Sequence, residues 1–190
     1  MAHGSPPTAP VRQAFWLVTG GLILVAAQTV AAAVLLLRFG AAYDTHAPWT
    51  VSEQTQADGV HARLAGAVVL GAGMSLLLLG VAMAVPRRLT STRTVVGCAA
   101  LVVAFALLLG IVGGPDGAVL AGDGEELAHL EQLLPAWFTA TASVTVTGAI
   151  VLLGTAFARL GRDAALDYYQ HHDPTATWRG FTSWLDIVSR

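Results

Sequence analysis

Four long blocks of apolar residues without a charge run through this chain, separated by short polar interruptions. The blocks cover about 14–37, 64–85, 94–113 and 136–158, and each is as long as the roughly 20 helical residues that a hydrocarbon core requires. Within them the apolar positions do not alternate as on a half-buried strand. They are apolar all round, which is the mark of a helix with no aqueous face. Between the second and third blocks lies Pro86–Arg93 (Pro-Arg-Arg-Leu-Thr-Ser-Thr-Arg), whose three arginines require water, so this turn joins two spans.

The polar segments read differently from one another. Residues 1–13 hold three prolines among small residues and are expected to be a disordered cytoplasmic tail. A cleaved signal peptide would have an apolar region about half as long as 14–37, so this block is read as a retained span. In the first outer segment Thr50-Val-Ser-Glu53 has capping-box spacing and is expected to start a helix leading into the second span. In the second outer segment, 114–135, Leu127, Leu130, Leu134 and Trp137 recur by three, four and three, the apolar stripe of an outer amphipathic helix. After the fourth span the helix is expected to continue into the cytoplasm. Trp178, Phe181, Trp184, Leu185 and Val188 then share one face of a C-terminal amphipathic helix, an aromatic surface for lipid headgroups or a partner.

The expected architecture is therefore an all-α integral membrane protein built as a four-transmembrane-helix bundle. It comprises the tail 1–13, a membrane domain 14–160 and a cytoplasmic extension 161–190. Composition agrees: 55% hydrophobic residues and 12% charged ones among 190 lie outside the range of soluble domains. Charge also sets the expected orientation. The two outer segments with Arg38 and Arg63 hold eight acids and two bases, whereas the other side holds eight Arg and four Asp. Arg-rich short loops stay inside during insertion, which puts both termini in the cytoplasm of a cell membrane.

Candidate chemistry is sparse. Glu125, Glu126 and His129 share a helix face at metal-chelating spacing, but the same three residues form the polar side of an amphipathic helix, and no metal or cofactor is expected. The single cysteine, Cys98, lies inside the third block, so no intrachain disulfide can form. No Asp, Glu, Lys, Arg or His lies within the four blocks, where proton relays and ion-coupled transporters would place them. No HExxH, GxSxG, CxxC or glycine-rich nucleotide loop occurs, and nothing points to nucleic acid.

Helix packing signals are richer. Gln28 is the strongest polar residue at depth, suited to a hydrogen bond across helices. Gly66 and Gly71 on the second span, and the row Thr139, Ser143, Thr147 and Gly154 on the fourth, are small faces that let backbones approach closely. The leading expectation is a non-catalytic membrane subunit or interaction protein that docks onto a larger respiratory, transport or envelope-building complex. A small homo-oligomeric transporter or channel lined by Gln28 and the Thr139 row is the alternative, and a metal- or lipid-dependent enzyme the next. The expected partners are membrane lipid and other membrane-protein subunits or further copies of the chain.

Overall fold

The computed structural model describes residues 9–45, 50–86, 91–113 and 134–162, together with 165 and 169. All of its regular structure is helical, with no strand among the described residues. The helices are α1 (Ala9–Thr45), α2 (Val51–Ala84), α3 (Thr92–Gly113) and α4 (Ala136–Leu160). Each is long and apolar enough to cross a membrane.

Two boundaries differ from expectation. α1 begins at Ala9, inside the stretch expected to be a tail. Pro10 is tolerated there because first-turn amides have no intrahelical acceptor, so a missing N–H costs nothing. α1 also runs on to Thr45 and α2 starts at Val51, so most of the first outer segment is helix rather than connection. The start of α2 is the expected capping box. The Glu53 amide donates to the Thr50 hydroxyl at 3.3 Å, and the Thr50 amide donates to the Glu53 carboxylate at 2.7 Å.

The buried positions of α1 are Val11, Ala14, Val18, Gly21, Val25, Ala32 and Phe39, spaced by three, four and sevens. In α2 Glu53, Ala57, Val60, Leu64, Gly71 and Leu78, with Val85 at its C-cap, follow the same rule, and in α3 Thr92, Val96, Ala99 and Val103 do so. Spacings of three, four and seven are those of a seam along which helices pack side by side. α1 packs along α2 and α4, and α3 rests more lightly on α4 and α2.

Neighbours run in opposite directions. Phe39 meets His61, while Thr29 meets Gly71 farther along both helices. Leu24 lies against Gly148 and Leu152 against Gly20. Phe157 covers Gly97, and the Arg93 guanidinium sits 5.4 Å over the Phe157 ring. One end of the bundle therefore collects the start of α1, the end of α2, the start of α3 and the end of α4. Arg12, Arg93, Arg159 and Arg162 all belong to it.

The closest approach is between α1 and α2, where a Cβ on Gly71 would collide with the Thr29 hydroxyl. Thr29 cannot swing away cheaply. Its χ1 is restricted by branching, and its hydroxyl donates to the Val25 carbonyl at 2.7 Å. Gly71→Ala should therefore lower the thermal midpoint in detergent by the equivalent of about 1–3 kcal/mol, the cost of overpacking. Gly73→Ala, whose Cβ would meet nothing within 4 Å, should leave the midpoint unchanged or raise it.

Candidate functional site

The buried apolar residues form two clusters rather than one. The first holds Val11, Val18, Val25, Leu78, Ala149, Leu153 and Leu160, and the second holds Ala32, Phe39, Ala57, Val60, Leu64, Leu134 and Phe138. Between them, on every helix that contributes to both, lies a small or polar residue. α1 has Gln28 and Thr29, α2 has Gly71 and α4 has Thr145. Thr145 is 5% exposed. Gln28 falls where the α1 seam calls for an apolar side chain, seven residues after Gly21.

The Gln28 carboxamide oxygen is buried and accepts no hydrogen bond from the described residues. A buried amide without a partner costs about 1–3 kcal/mol in proteins, so this mid-bundle layer stores an unmet demand for a donor. No described residue donates to that oxygen across the helices. The close contact at this level belongs to the neighbouring Thr29 with Gly71.

The other expected packing residues separate sharply. Gly71 is buried where α2 meets Thr29 of α1. Gly66 is exposed, and a Cβ there would meet none of the described residues within 4 Å. Thr139, Ser143 and Thr147 are likewise exposed, with the Ser143 hydroxyl turned back to the Thr139 carbonyl at 3.1 Å. The inward face of α4 is instead Phe138, Thr145, Ala149, Leu153, Ala156 and Leu160. Along α4 the Thr/Ser row is rotated away from this inward face, which is the one that meets α1 and α3.

The stripe expected from Leu127 to Trp137 does not stay on one helix. α4 starts at Ala136 behind an extended Pro135, so the helix cannot be continuous across 134–137. Leu134 is buried with Phe39, Val60 and Phe138, whereas Trp137 is 49% exposed and meets Phe138 edge to face. Leu127, Leu130, Glu125, Glu126 and His129 lie outside the described residues, as do Trp178, Phe181, Trp184, Leu185 and Val188. Among the described residues no three His, Cys, Asp or Glu come together in a metal-binding group. His61 is exposed, its ring 5.1 Å from that of Phe39.

Two features escaped sequence reasoning. On α2, Gly59, Gly66, Gly73 and Gly80 recur every seven residues, and a Cβ at any of them would meet nothing within 4 Å. Their strict period was visible but was obscured by Gly71 and the alanines around it. At the basic end, Tyr169 is 3% exposed, and its hydroxyl donates to the Val85 carbonyl at 2.8 Å. This satisfies one of the carbonyls that the end of α2 leaves without an intrahelical partner. It ties the chain beyond α4 to the foot of the bundle, and only the aromatic character of 168–169 hinted at it.

Comparison of the chain with protein-family models, with curated proteins and with solved structures finds no match.

Two substitutions measure these interior groups. Tyr169→Phe should cost about 1–3 kcal/mol in unfolding experiments, because a buried carbonyl loses its donor. Gln28→Leu should raise the thermal midpoint, since it replaces an unpartnered amide by an apolar group of similar length.

Proposed function

We propose that this chain is a non-catalytic membrane subunit, an interaction protein that docks through its helix faces onto a larger assembly in a cell membrane. The observation that carries the reading is a pair of small-residue rows that lie off the described core. One is Gly59, Gly66, Gly73 and Gly80 on α2, and the other is Thr139, Ser143, Thr147 and Gly154 on α4. Hydrocarbon offers helices little hydrophobic reason to associate, so small residues that permit close backbone approach are a principal means of adhesion between spans. Here such surfaces face away from the chain's own core. The absence of ionisable residues from the apolar blocks supports an assembling role over a chemical one.

The sidedness follows from charge. The bundle end formed by Arg12, Arg93, Arg159 and Arg162 belongs in the cytoplasm by the positive-inside rule, with both chain termini on that side. The aromatic tail Trp178, Phe181 and Trp184 then supplies a second, cytoplasmic contact with the partner. A second reading, a homo-oligomeric transporter or channel, is favoured by one observation, the unpartnered Gln28 oxygen at mid-bundle.

Purification from the native membrane in mild detergent through an N-terminal tag should bring down another membrane protein in stoichiometric amount. Gly73→Leu with Gly80→Leu should abolish that company while the chain remains inserted and folded. Trp178→Ala, Phe181→Ala and Trp184→Ala combined should weaken it. A homogeneous homo-oligomer without partners, active in liposome flux and silenced by Gln28→Leu, would replace the subunit reading with the transporter.

A further inference from the structure

α2 carries two rows of period seven, and the described core takes up one of them. Ala57, Leu64, Gly71 and Leu78 are buried. Gly59, Gly66, Gly73 and Gly80 each follow one of these by two positions, about 200° further round the helix at 3.6 residues per turn. The glycine row therefore points directly away from the chain's own core, and a Cβ at any member would meet none of the described residues within 4 Å. Beside it Ala62, Val69, Leu76 and Met83 form a second outward row of the same period, and all four are exposed.

These two outward rows stand to each other as the a and d positions of a coiled coil, with glycine at a. A strict period of seven keeps such a face turned toward a neighbour that winds with it in a left-handed supercoil. At the glycine layers two backbones can approach closely, and between those layers Val69, Leu76 and Met83 supply the side chains that fill the contact.

The flanks of this face identify the neighbour. Asp58 and Arg63 are exposed at g and e positions of the same frame, and no other Asp, Glu, Lys or Arg lies between 58 and 84. Five residues apart on one helix, they do not face each other. In a parallel pair of identical helices a g residue faces the e residue five positions further along the other helix, so Asp58 of each copy meets Arg63 of the other. Two-fold symmetry makes this contact twice. Its level suits charge, because both residues precede the apolar block 64–85. Arg63 can keep contacts within its own chain as well, since a guanidinium offers five N–H donors. Two copies of one chain insert the same way up, so the parallel arrangement that the charges require is also the one a membrane imposes.

We infer that α2 pairs in parallel with α2 of a second copy of this chain along the glycine row. The inference rests on the membrane docking role proposed above and names the occupant of the α2 face. The Thr139 row of α4 is left for the larger assembly, which the chain joins as a pair.

Cysteine cross-linking tests this in the full-length chain. With Cys98→Ser as background, one new cysteine at a time is introduced, and membrane vesicles holding the protein are oxidised with copper phenanthroline. Val69→Cys and Leu76→Cys should each convert most of the chain to a disulfide-linked dimer. Leu101→Cys on α3 and Val144→Cys on α4, at comparably exposed sites, should not. In the Leu76→Cys chain, Gly73→Leu with Gly80→Leu should reduce the dimer to the level of those controls. Asp58→Arg should lower it several-fold, and Asp58→Arg with Arg63→Asp should restore it, a rescue that a misfolded chain would not show.

Cross-linking as strong at Leu101 or Val144 as on α2, or absent from both α2 sites, would overturn the inference. So would a charge exchange that fails to restore the dimer. A complex of one copy with a different membrane protein, lost with Gly73→Leu and Gly80→Leu, would overturn the pairing and leave the subunit reading standing. A pair that brings down no other protein would support the pairing and remove the subunit reading instead.

Discussion

The contact on which the rest of the bundle depends is that of Thr29 with Gly71. It sets how near α1 and α2 approach, and α1 is the helix that packs along both α2 and α4. The seam of α1, with Val18, Gly21, Val25 and Ala32 at alternating spacings of three, four and seven, can engage two neighbours only if both lie close. Gly71 provides this for α2, and Gly148 against Leu24 provides it for α4. A glycine at a crossing loses some helix propensity, a cost of about 1 kcal/mol, and gains backbone contact that no larger residue permits. α3, which shows no comparable glycine crossing with α2 among the described residues, is held less tightly.

Much of this was legible in the residues and some was not, for one physical reason. Runs without charge, such as 14–37 and 94–113, announce helices whatever their neighbours are, and the capping box at Thr50 and Glu53 needs only local geometry. Inward and outward faces are another matter. In an ordinary soluble helix, polarity marks the outside, but in α4 Thr145 is buried and Thr147 is exposed although their chemistry is the same. On α2, Gly71 is buried while Gly66 and Gly73 are exposed. Where both faces are apolar, only the shape of the neighbouring helix tells them apart, and the sequence pattern carries no contrast to read.

The mid-bundle layer is a compromise between packing and specificity. A core of Val, Leu and Ala along heptad seams could slide by a turn with little penalty, since one apolar layer resembles the next. Gln28 and Thr145, set between two apolar clusters, make the layers unequal, so only one register puts both polar groups at the same depth. The unpartnered oxygen of Gln28 is thus consistent with a device that fixes alignment at some expense in stability, the use for which a lone polar residue in a coiled-coil core is best attested.

The lengths of α1 and α2 set a dimension of the molecule. With 37 and 34 residues they extend about 55 Å and 50 Å, well beyond the roughly 30 Å of a hydrocarbon core. The excess is braced rather than loose: Phe39 stacks on Tyr43 and meets His61, and Ala57, Val60 and Leu134 close around it. A helical hairpin stiffened in this way acts as a ruler. Its length is set by the number of heptads, so inserting or deleting one heptad in both helices would change the reach of the hairpin by about 10 Å while keeping the seam in register.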